Sequence, residues 1–116
     1  QETKNTIKET FSKYGYLIDT HTAVAFKVYE EYVEKTGDNT KTIIASTASP
    51  YKFAPSVLNA LNQELSDDDF ENLEKLSKYT NTQIPKSIKE LKEKEIRFNG
   101  VIEKEEMKKA VAEFLK

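Results

Sequence analysis

The chain has 116 residues, with a formal net charge of −2, 33% charged residues and no cysteine. That length suits one domain, here residues 1–116, burying roughly two-thirds of its unfolded surface. The near-balance of charge gives no electrostatic reason for binding nucleic acid or an anionic membrane. The absence of cysteine excludes disulfides, thiolate nucleophiles and thiolate metal sites. A cytoplasmic protein is the expectation, since no apolar run approaches a membrane span and no signal peptide is present. The chain starts at Gln1, which predicts a processed or shortened product of a longer protein.

In chain order, Ile7, Phe11 and Tyr14 are spaced four and then three residues apart, predicting a helix over Glu2–Tyr14 closed by Gly15. A second helix, from about Thr22 to Lys35, places Ala25, Val28, Tyr29, Tyr32 and Val33 on one stripe and ends at Gly37. Thr42–Ser46 is apolar without alternation and predicts a parallel strand covered on both faces. Pro55 starts a helix with Val57, Leu58, Leu61 and Leu65 inward. Ser66 and Asp69 resemble a capping box opening a helix with Phe70, Leu73 and Leu76 inward. Pro85 precedes a further helix carrying Ile88 and Leu91 and extending toward Glu95, and Glu103–Lys116 has the register of a terminal helix. Between these, "IRFNGVI" predicts a small hairpin about Asn99-Gly100. The fold class expected is α/β, with five to six helices and one strand, Thr42–Ser46. One such strand needs parallel neighbours. Its isolation predicts that the chain is a piece of a larger sheet; the plainer alternative is a helical domain with a stray extended segment.

Tests for chemistry mostly exclude. Ser46, Thr47 and Ser49 occur with Asp19 and His21, but no G-x-S-x-G elbow is present, and Asp19 lies only two residues from His21, an awkward spacing for a triad. One histidine without cysteine cannot furnish an ordinary zinc shell. "SDDDFE" lacks the alternation and glycine of a calcium loop and reads as acidic residues favouring a helix start. Three glycines, against roughly eight at average usage, leave no phosphate-binding glycine loop. His21 beside a helix start reads as a local hydrogen-bonding residue, and Lys52 as a solvated or ion-paired lysine. "KSIKELKEKEIR" reads as a solvated helix face.

"YGYLIDTHTAVAFKVYEEY", "IIASTASPYKF" and "SVLNAL" closely resemble the C-terminal part of threonine synthases, pyridoxal-phosphate enzymes of the tryptophan synthase β-like group, fold type II. "IPKSIKELKEKEIR" and "EKEEMKKAVAEFLK" also resemble that tail, so the likeness spans nearly the whole chain. The usual family form has proline between the aspartate and histidine, where this sequence has Thr20. The resemblance implies an enzyme converting O-phospho-L-homoserine and water to L-threonine and phosphate, a carbon–oxygen lyase acting on phosphates. It also implies that a hydroxyl residue, Thr47 by position, meets the pyridine nitrogen of the cofactor. A threonine can donate a hydrogen bond to that nitrogen but carries no charge to stabilise a pyridinium, so it would orient the ring and temper its electron demand. Ser46, Ala48 and Ser49 would flank it; Asp19, His21 and Thr22 would line or brace the site, and Lys52 would lie near substrate phosphate.

The family's Schiff-base lysine, in a Ser/Phe-x-Lys-Asp motif, and its glycine-rich phosphate loop do not occur in these residues. No catalytic residue is therefore expected in this piece, nor a metal, and the piece alone is expected to be inactive and free of cofactor. The alternative of a different class is a free-standing helical interaction domain without chemistry. Self-association of the piece through its unpaired strand is a further expectation.

Overall fold

Two glycines in the left-handed region, Gly15 at φ 64° and Gly37 at φ 68°, stop the first two helices. Each donates its backbone N–H to a carbonyl four residues back, Phe11 O and Val33 O, both at 2.8 Å. Glycine suits these positions because a Cβ there would crowd the neighbouring carbonyl. The computed structural model describes residues 1–115, with α-helices α1 (Glu2–Tyr14), α2 (Thr20–Thr36), α3 (Ala54–Ala60), α4 (Asp69–Thr80), α5 (Lys86–Lys89) and α6 (Met107–Phe114). Short 3-10 turns at Pro50–Phe53, Glu90–Glu93 and Lys104–Glu106 complete the regular structure.

The core lies where α1 meets α2 and α3, and α3 meets α4. Ile7 of α1, Ala23 of α2, Tyr51 of the first 3-10 turn, Val57 and Leu58 of α3 and Leu76 of α4 are buried together. The spacing expected for α1 holds at Ile7 and Phe11, but Tyr14 points largely to solvent. In α2 the buried residues are Thr22 and Ala23, whereas Ala25, Val28 and Tyr32 of the expected stripe are exposed. Periodicity alone cannot choose between these faces, since the partner helix decides which one is covered.

The expected α/β class is wrong for this chain. Among the described residues there is no strand and hence no sheet. Thr42–Ser46 runs without regular structure or ladder partner, and Ile43 is 93% exposed. β-branched residues favour extended backbone, but a strand exists only when a second segment completes its hydrogen bonds. The hairpin about Asn99-Gly100 is likewise absent, residues 96–102 being irregular and exposed.

Other boundaries move for local reasons. Helix α3 ends at Ala60, with Asn62 at φ 58°, so Leu65 falls outside it and is exposed. Asp68, not Ser66, caps α4: its carboxylate accepts from the N–H groups of Phe70 at 2.7 Å and Glu71 at 3.2 Å. Ser66 is held instead by buried Asn72, whose side chain accepts from the Ser66 N–H and donates to the Ser66 carbonyl, both at 2.9 Å. The helix after Pro85 is a single turn continued by 3-10 backbone to Glu93, short of Glu95. The expected helix over Glu103–Lys116 is a 3-10 turn followed by α6, with its Lys116 end outside the described residues.

Residues 94–109 are all exposed, and α6 packs on the 3-10 turn just before it. This arm extends the molecule to 55 Å along its longest axis, with a radius of gyration of 18.4 Å. A compact chain of about 100 residues would have a radius of about 13 Å.

Candidate functional site

The site is built around the start of α2. Asp19 is its N-cap, in extended conformation at φ −80° and ψ 172°, and its side chain is fully buried. One carboxylate oxygen accepts from the N–H of His21 at 2.8 Å and the N–H of Thr22 at 3.4 Å. The same oxygen lies 3.1 Å from His21 Nδ1, and the other accepts a short hydrogen bond from the Thr22 hydroxyl. Burial by itself pushes the Asp19 carboxyl up, but the Thr22 hydroxyl, the two backbone N–H groups and the His21 ring together hold it below its ordinary value of 3.8. Asp19 is thus ionised at neutral pH, and four groups already contact its two oxygens. Three of the four contacts fall on one oxygen and the Thr22 hydroxyl on the other, so the carboxylate is committed mainly to its own helix start.

Thr20 is the first residue of α2. That position tolerates proline, because its N–H has no intrahelical partner and its φ is already helical. The usual family proline at this place and the threonine found here are therefore compatible with the same helix start.

Thr22 joins α2 to the segment after residue 45. Its hydroxyl lies 2.9 Å from Ser46 Oγ, and Ser46 Oγ is 3.5 Å from the Ala48 carbonyl. Thr47 is exposed, and among the described residues its hydroxyl takes part in no hydrogen bond of this network. Ser49 caps the next turn, its hydroxyl accepting from the Tyr51 N–H at 3.3 Å. Pro50 opens that turn, where its fixed φ suits the geometry.

His21 is 67% exposed at its side chain and packs against Phe53, ring centroids 5.0 Å apart at 51°. Lys52 Nζ lies 5.7 Å from the same ring. Asp19, His21, Thr22 and Ser46 therefore form one connected group, with Thr47, Ala48 and Ser49 on the adjoining bend. Lys52 joins them through its backbone N–H, which donates to the Ser49 carbonyl at 3.0 Å, whereas its side chain reaches toward Phe53. Nothing in the sequence marks Phe53 for this contact except its place three residues after Pro50, one 3-10 turn on. Spacing of two residues, unpromising for a triad, is what lets the Asp19 carboxylate fold back onto its own helix start and meet His21.

The sequence model of the family described as "Threonine synthase, C-terminal" matches residues 22–114. The chain belongs to the threonine synthase C-terminal family. It is 39% identical over 74 residues to mouse threonine synthase-like 1, covering 63% of this chain and 10% of that protein. The human threonine synthase-like 1 is 38% identical over the same length and the same shares. Threonine synthase of Methylobacillus glycogenes is 41% identical over 59 residues, covering 51% of this chain and 12% of that protein. The chain thus spans about a tenth of the length of the curated relatives it matches.

Among the described residues, no group of three or more His, Cys, Asp or Glu side chains is gathered as metal ligands. No helix among them is long and apolar enough to cross a membrane. A cavity of about 520 Å³ between Phe53, Pro55, Phe70, Ile88 and Leu91 is mainly apolar and lies beside the His21–Phe53 contact.

Proposed function

We propose that this chain is the C-terminal portion of a threonine synthase that converts O-phospho-L-homoserine and water to L-threonine and phosphate in the cytoplasm. Its part in that enzyme is to present the Thr47 hydroxyl to the pyridine nitrogen of pyridoxal phosphate. The cofactor supplies, when bound, the electron sink that lets phosphate leave and water add. The lysine motif and glycine-rich loop that the family uses to hold it are not among these residues, so activity belongs to the whole protein and not to this segment.

The observation that carries the reading is the exposed Thr47 hydroxyl, without a hydrogen-bond partner among the described residues, beside a Ser46 already engaged by Thr22. A neutral pyridine nitrogen needs a donor, and an exposed, unengaged threonine provides one. The Asp19 carboxylate is buried and turned to its own helix start, which suits a site that orients the ring without a counter-charge. Thr47→Val in the full-length enzyme tests this. A shifted absorbance of the bound cofactor with reduced turnover is expected, and unchanged spectra and kinetics would refute the contact.

A further inference from the structure

Ser46 and Thr47 are adjacent hydroxyl residues at the same bend, so their protons have to be assigned. Asp19, ionised, can only accept. The single Thr22 proton goes to Asp19, leaving Thr22 Oγ1 with lone pairs alone. The 2.9 Å contact between Thr22 Oγ1 and Ser46 Oγ then has one possible direction: Ser46 donates. That commits the only Ser46 proton, and the Ala48 carbonyl at 3.5 Å is the weaker competitor for it. The charge buried at Asp19 thereby sets proton directions two hydroxyls away and fixes Ser46 as an acceptor toward its surroundings.

We propose that Thr22 is a positioning residue: by accepting the Ser46 proton it holds the Ser46–Ser49 bend and leaves Thr47 as the hydroxyl of the pair that donates to the cofactor. The proposal rests on the role given to Thr47 above. It separates Thr22 from Asp19, which is buried at the helix start, and gives Ser46 a part that its exposed position does not suggest. Without the Thr22 hydroxyl, Ser46 is free to turn its proton to Ala48 O, and both the bend and the choice of donor relax.

Four variants of the full-length holoenzyme test it: Thr22→Val, Thr22→Ser, Ser46→Ala and the double variant Thr22→Val with Ser46→Ala. Losing the part-buried Thr22–Ser46 hydrogen bond predicts a fall in kcat of about fivefold to tenfold for Ser46→Ala, and a fall at least as large for Thr22→Val, which also loses the hydroxyl donor to Asp19. Both should shift the bound-cofactor absorbance in the direction given by Thr47→Val. Thr22→Ser, which keeps the hydroxyl, should retain the wild-type spectrum. The double variant should lose no more than the worse single variant, because both remove the same bond. In the cofactor-free enzyme, Thr22→Val should speed amide hydrogen exchange across residues 46–49 several-fold.

A wild-type spectrum and kcat in both Thr22→Val and Ser46→Ala, or losses that simply add in the double variant, would overturn the proposal. If Thr22→Val does not fold, Ser46→Ala and Thr22→Ser decide it, the first altered and the second not. Insensitivity of Thr47→Val would sink the reading of Thr47 itself. A sensitive Thr47 with silent Thr22 and Ser46 would sink the relay alone.

Discussion

The phenol of Tyr51 lies 2.7 Å from the Thr82 hydroxyl and donates at 2.9 Å to the Thr82 carbonyl, tying the turn after the Ser46–Ser49 bend to the end of α4. The Ser77 hydroxyl donates to the same carbonyl at 2.6 Å, so Thr82 is a small hub beneath the site. Tyr51→Phe removes the phenol and keeps the buried ring. The expected cost is about 1 kcal/mol, read as a lower denaturant midpoint with an unchanged slope.

Asp19 should make the stability of the chain depend on acid. Its carboxyl is held below 3.8 in the folded chain, so between the folded value and 3.8 the unfolded chain binds more protons. Its stabilisation is therefore fully present above 3.8 and is lost as pH falls through the folded value. Asp19→Asn keeps the shape but not the second acceptor oxygen, and should cost about 1–2 kcal/mol near neutral pH. Denaturation curves from pH 6 down to about pH 2 should show the gap between the two proteins closing at the acid end. A constant gap would contradict the role given to the carboxylate.

Gly37→Ala should destabilise through the backbone alone. The glycine sits at φ 68°, and beyond its own and its chain neighbours' atoms a Cβ added there would meet nothing within 4 Å. Left-handed backbone costs alanine about 1–2 kcal/mol. Gly37→Asn should recover part of the loss, since asparagine accepts this conformation more readily; equal thermal midpoints for the two variants would argue against strain as the cause.

Leu76→Ala opens a cavity in the centre of the α3–α4 contact, where Leu76 is fully buried beside Leu58 and Leu73. A cost of about 2–5 kcal/mol is expected in equilibrium unfolding. The same change at exposed Leu91 should be nearly neutral, because that side chain already faces water over half its surface.

Limited trypsin digestion should cut first between Lys92 and Lys104, at the exposed basic residues of the arm. Exposed backbone with few buried contacts opens at little free-energy cost. A resistant product ending near Lys92 is the expected result. Cleavage within α1 or α4 at the same rate would show that the arm is no weaker than the body.

The limits of α1, the glycines that close α1 and α2, and the inward residues of α4 were legible because they depend on local chemistry: helical spacing, a left-handed cap and short-range propensity. The motifs around Asp19 and Ser46 likewise identify the family from the sequence itself. Three things needed the tertiary structure. Thr42–Ser46 has strand composition but finds no ladder partner, since pairing belongs to two segments and not to one. The buried face of α2 is set by α1 at Thr22 and Ala23, not by its apolar stripe. The link from Asp19 through Thr22 to Ser46 spans 24 residues between its last two members, and no spacing rule predicts a contact of that range. Local conformation is written in neighbouring residues, but a hydrogen bond between distant ones exists only once the core has fixed where each segment lies.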